Sequence, residues 1–95
     1  MSLAEQMSHI GSEVFRALAW KKKGNENYSW MALERALELL DLQLQDSRYR
    51  SRLKEFCRLR EVICDYFIGG NEYGSTEKQW ENYFLSFNRA ARKNF

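Results

Sequence analysis

Apolar residues fall along this chain at steps of three and four in four separate stretches, the spacing of helices that bury one face. The first stretch, Leu3, Met7, Ile10, Val14 and Leu18 with Ala17 beside it, predicts a helix over 3–22. Lys21, Lys22 and Lys23 close it, where cations complement the negative end of the helix dipole, and Gly24 terminates it. The second stretch, Trp30, Leu33, Leu37, Leu40 and Leu44, predicts a helix over 29–44 capped by Asn27 or Ser29. Met31, Ala32, Ala36, Leu39 and Leu42 widen its stripe over much of the circumference. A helix of that kind is expected to be packed on several sides, at the centre of the molecule.

A third helix is predicted over 47–68, capped by Asp46 or Ser47. Leu53, Phe56, Ile63 and Phe67 form its inward stripe, and Gly69-Gly70 ends it. The fourth is predicted over 76–93, with Thr76 and Gln79 at capping-box spacing and Trp80, Phe84, Phe87 and Ala91 inward. The expected fold is all-α, a compact four-helix bundle with up-down-up-down topology. A splayed, orthogonal packing would use the same periodicity, because crossing angle depends on which side-chain ridges interlock.

Ninety-five residues make one domain with a single core, and 44% hydrophobic content fills it without disulfides. The net charge of +2, from fifteen basic and thirteen acidic residues, demands no polyanionic partner. Cys57 and Cys64, seven apart on one predicted helix, stand about 10 Å apart along it, too far for a disulfide. They read as reduced core residues of a cytoplasmic protein. No apolar run approaches the ~20 residues that span a bilayer, and no secretion signal is read at the start.

Candidate chemistry is sparse. Two similar stretches, Asn25-Glu26 with Tyr28 and Asn71-Glu72-Tyr73, fall in the loops expected at one end of the bundle. Side by side, Asn25, Glu26, Tyr28, Asn71, Glu72 and Tyr73 would form a polar cluster able to hold a cation, an amine or a partner's arginine. Equally, Asn and Gly are turn formers and Glu is a solvated loop residue. Arg48, Arg50, Arg52, Lys54 and Arg58 crowd the start of the third helix, a candidate basic patch for nucleic acid. Glu34, Glu38 and Asp41 are expected to pair with them. Arg60, midway between Phe56 and Ile63, is expected as a buried ion pair with Glu34, Glu38 or Glu13. Glu5, His9 and Glu13 share a helix face, a row that holds metal only with ligands from elsewhere.

No phosphate loop, nucleophile–base pair or metal quartet is present, so no enzyme, cofactor or metal is expected. In outline the chain is similar to HEPN-type helical bundles, whose ribonuclease members carry an arginine followed a few residues later by histidine. The single histidine, His9, precedes every arginine, so that motif is absent. The leading expectation is a non-enzymatic protein-interaction module, self-associating through surplus aromatic surface that includes Trp20, Tyr49, Tyr83 and Phe95. A nucleic-acid-binding domain and a ligand or cation site at the Asn-Glu-Tyr loops are the alternatives. No membrane partner is expected.

Overall fold

The computed structural model describes residues 2–92, with side chains through 90. Among the described residues there are four α-helices and no strand: α1 Leu3–Lys22, α2 Glu26–Leu44, α3 Leu53–Phe67 and α4 Glu77–Arg92. The fold is all-α. The expected end of α4 at residue 93, the Ala91 side chain and Phe95 lie outside the described residues.

Local chemistry sets the helix ends. Ser2 caps α1 in a reciprocal box, its hydroxyl accepting from the Glu5 N–H while the Glu5 carboxylate accepts from the Ser2 N–H. Asn25 caps α2 by accepting from the Tyr28 N–H at 3.0 Å. The helix therefore opens at Glu26, three residues before the predicted start, and Asn27 and Ser29 are not its caps. Gly24, with φ +78°, supplies the left-handed turn between α1 and α2. Thr76 and Gln79 form the predicted capping box of α4.

The helix predicted over 47–68 is broken. Ser47–Arg52 is a 3-10 helix, and α3 begins only at Leu53. Asp46 captures the Arg48 N–H at 3.0 Å and favours a tight turn. The Tyr49 ring then seats edge-on against Phe56, its centroid 6.5 Å away. Arg52 enters α3 with no side-chain cap.

α1 runs antiparallel to α2 and to α4. The Ser29 hydroxyl donates to the Ala17 carbonyl at 2.8 Å, and the Gln43 amide reaches Met7, so α2 lies back along α1. Ser8 bonds Asn88 and Lys22 pairs with Glu77, so α4 lies along the other side of α1. Ala17, Ala32 and Ala36 keep the α1–α2 contact close, and Gly11 does the same beneath Phe84. The core is Met7, Ile10, Val14 and Leu18 from α1, Leu33 and Leu40 from α2, Phe56, Leu59 and Ile63 from α3, and Trp80 and Phe84 from α4.

Two expectations about this core change. First, α2 is not a hub buried all round: Trp30 is 48% exposed, Met31 62% and Leu42 66%, while Leu37, Leu39 and Leu44 are half-buried. The backbone neighbours run in the order α4, α1, α2, α3, and α1 and α2 share the middle. Second, α3 and α4 stand apart, with no Cα of one within 8 Å of the other among the described residues. Long side chains bridge them instead: Tyr66 meets Trp80 edge-on at 5.9 Å, and Tyr83 donates to Glu55 at 3.2 Å. Leu53, predicted inward, is 40% exposed because α3 has only just begun there.

Candidate binding site

The two Asn-Glu-Tyr stretches lie at the same end of the molecule, since Lys22 at the close of α1 meets Glu77 and its neighbour Lys21 sits over Tyr66 and Phe67. Their side chains are nevertheless committed elsewhere. Asn25 is a helix cap, Glu26 opens α2, and Tyr28 stacks edge-on with Trp20 at 4.8 Å. Asn71 takes left-handed backbone, φ 52°, and its amide closes a turn by donating to the Ser75 carbonyl and accepting from the Ser75 N–H. Asp65, at the end of α3, accepts from the Glu72 and Tyr73 N–H groups. The Tyr73 hydroxyl donates to Glu61. No contact joins the two stretches among the described residues, so the six do not form one cluster. The sequence reading missed Asp65, whose carboxylate organises this loop; its position a few residues before Gly69-Gly70 was the available signal.

The basic residues divide between structural pairs and open surface. Arg48 forks onto Asp46, and Arg52 forks onto Glu55. These partners lie beside them in the chain, and neither Glu34 nor Glu38 contributes: Glu34 accepts from the Trp30 indole and Glu38 meets Arg35. Arg50 and Lys54 are exposed and have no partner among the described residues. Arg58 lays its guanidinium over the Tyr73 ring, 4.6 Å from the centroid. Exposed pairs of this sort contribute roughly 0–1 kcal/mol each.

Arg60 does form an ion pair, but with Asp41 at 2.7 Å and with the two side chains 41% and 44% exposed. It ties α3 to α2 from the surface and is not buried. The hydrogen bond to Asp41 raises its pKa above the ordinary arginine value. Cys57 is exposed and Cys64 half-buried, so neither is a core residue; both thiols are free. His9 is exposed, Glu5 serves its cap and Glu13 pairs with Arg16. Among the described residues no group of three His, Cys, Asp or Glu is placed to hold a metal, and no helix is long and apolar enough to cross a membrane.

Trp20, Tyr49 and Tyr83, expected as surplus surface, are half-buried against neighbouring rings. Exposed apolar side chains include Tyr28, Trp30, Met31 and Leu42 on α2, with Leu53, Ile68, Tyr73 and Leu85 on other segments.

The separation of α3 from α4 creates an apolar groove. It has a volume of about 320 Å³ and is floored by Leu59, Val62, Trp80 and Tyr83 and rimmed by Glu55, Arg58, Ser75 and Gln79. Volumes near 300 Å³ are at the small end of the range for ligand sites. The Glu55 carboxylate is held in place by the Arg52 guanidinium and the Tyr83 hydroxyl. Trp80 is 4% exposed, and its Nε1–H has no acceptor among the described residues; Gln43 Oε1 is the other buried polar atom of this kind. Leaving such a donor unpaired costs about 1–3 kcal/mol.

Burial, the Glu55 charge and the hydrogen bond to Glu55 together raise the Tyr83 pKa above the ordinary tyrosine value. A raised pKa in the folded state gives stability that is present below the unfolded value, about 10, and lost as pH climbs towards the folded one. Alkaline unfolding should therefore begin later in Tyr83→Phe than in the parent chain. Phenolate absorbance should show a component that appears only with unfolding and is missing from Tyr83→Phe; parent and variant curves of the same shape would contradict the raised Tyr83 pKa. No protein-family model matches the chain, and neither a curated protein nor a solved structure shows significant similarity to it.

Proposed function

We propose that this chain is a non-enzymatic interaction module that pairs with a second copy of itself through the outer face of α2. One observation carries the reading. Tyr28, Met31, Arg35, Glu38 and Leu42 follow one another at steps of three, four, three and four, and all five are exposed. That alternation is the seam of a helix pair, in which each side chain seats between residues of the facing helix.

An antiparallel pairing about a twofold axis near Ala36 and Leu37 brings the two seams into register. Met31 then faces Leu42 of the second copy, and Arg35 faces its Glu38, each contact occurring twice. Opposite charges occupy the middle and apolar side chains flank them, so the face complements itself. Within one chain Arg35 and Glu38 make only a loose pair at 3.7 Å, which leaves both able to turn outward. The two free thiols fit a reducing, cytoplasmic setting.

Light scattering on a dilution series tests this reading. The parent chain should pass from dimer to monomer on dilution. Met31→Glu should remain monomeric throughout, as should Arg35→Glu. Adding Glu38→Arg to Arg35→Glu should restore the dimer, because the charge pairs are re-formed with their signs exchanged. A parent chain that stays monomeric at the highest concentration would overturn the proposal.

A further inference from the structure

We propose that the groove between α3 and α4 binds a small apolar carboxylate, with its hydrocarbon part on Leu59, Val62 and Trp80 and its carboxylate at Arg58. The inference is independent of self-association, since no residue of the α2 seam lines this groove.

Three features select this ligand. The floor is apolar, so the bulk of the occupant is hydrocarbon or aromatic. The polar end carries a guanidinium, that of Arg58. Arg58 has no carboxylate partner among the described residues and leans over Tyr73, towards the end of the groove where Ser75 and Gln79 open α4. The first turn of a helix adds partial positive charge there. The carboxylate nearest the opposite end, Glu55, is held by Arg52 and Tyr83 and so opposes an anion weakly. Glu61, on the loop side of Arg58, accepts from the Tyr73 hydroxyl.

The third feature is Trp80. It lies in the floor with an unpaired indole N–H that its neighbours cover. An occupant carrying an acceptor oxygen would gain by pairing that donor, at the cost of shifting the side chains that cover it. At the ~30 Å³ that one water molecule occupies in the liquid, the groove accommodates roughly ten non-hydrogen atoms.

Octanoate is a suitable probe, with octanol and octylamine as its neutral and cationic matches. Each is titrated into the ¹⁵N-labelled full chain. Saturable octanoate binding should move amide resonances of α3 and α4 together with the Trp80 indole N–H, leaving those of Trp20 and Trp30 in place. Octylamine should bind at least about tenfold more weakly, as expected when a charge-assisted hydrogen bond is replaced by repulsion. Arg58→Gln should weaken octanoate about tenfold and leave octanol unchanged. Val62→Trp should fill the groove and abolish binding of both, with the helical circular-dichroism signal retained. Trp80→Phe, which keeps a ring but removes the donor, should weaken octanoate more than octanol.

Equal binding of the acid and the amine would overturn the proposal, as would no saturation by octanoate in the low millimolar range. Groove resonances that broaden with protein concentration alone would instead place a second copy there, and would overturn it too.

Discussion

Phe84→Ala should lower the free energy of unfolding by about 3–5 kcal/mol, the range for deleting a large aromatic side chain from a close-packed core. The ring is fully buried and is the anchor of α4. It lies edge-on to Phe15 at 6.0 Å and to Tyr83 at 5.1 Å, and nearly parallel to Trp80 at 6.3 Å. Its other face covers Gly11 of α1. Loss of the ring removes both the transfer free energy and the contacts that fix α4 against α1. Total stabilities of single domains are about 5–15 kcal/mol, so the variant should be partly unfolded near room temperature if this chain is at the lower end. Urea denaturation followed by far-ultraviolet circular dichroism measures the difference. A loss below about 1 kcal/mol would mean that α4 does not dock on α1 through this ring.

Gly11→Leu is the complementary experiment. A Cβ at Gly11 would lie 2.8 Å from Phe84 Cδ1 and Cγ, closer than carbon atoms approach without movement. Replacing a helix-interior glycine ordinarily stabilises by about 1 kcal/mol through helix propensity. Here overpacking, at the upper end of its usual 1–3 kcal/mol, should prevail and leave a net loss of about 2 kcal/mol. In the Phe84→Ala background the same leucine enters the space the ring has vacated. Its cost should then disappear or change sign, a strongly non-additive cycle of the kind seen between residues in contact. Strictly additive losses would place the two residues apart.

Much of the architecture was legible because it depends on local signals. Spacing alone is enough to see that Met7, Ile10, Val14 and Leu18 share one face, and that Thr76 and Gln79 begin a helix. Errors came where two local signals compete. Asn25, Asn27 and Ser29 are all able to cap a helix, and it is the Asn25 side chain that starts α2. Asp46-Ser47 suits the start of an α-helix or of a tighter turn, and the packing of Tyr49 on Phe56 decides for the turn. Arg60 lies close to an apolar stripe, but a flexible four-bond stem lets its charge reach Asp41 at the surface.

The groove was not legible at all. Its existence depends on how far apart two helices settle, and that distance is set by Tyr66, Trp80, Tyr83 and Glu55 interlocking as spacers. Likewise, the breadth of the α2 stripe points to packing on several sides, at the centre of the molecule. Periodicity registers that a face is apolar, and cannot say whether this chain or another molecule covers it. The outer residues Tyr28, Met31 and Leu42 answered to the same pattern as Leu33 and Leu40, yet only the latter are enclosed.

Taken in the order α4, α1, α2, α3, the helices form an unbroken row in which every step joins backbone neighbours. The polypeptide visits that row starting from its second place. A rewired chain that entered at α4 and ran on from its end into α1 would therefore keep each intimate pairing sequential, with Ser8 and Asn88 already marking where the new join would lie. The one natural link such a rearrangement dispenses with is the segment after α3, whose hydrogen bonds to Asp65 and between Asn71 and Ser75 hold a span that no backbone packing supports.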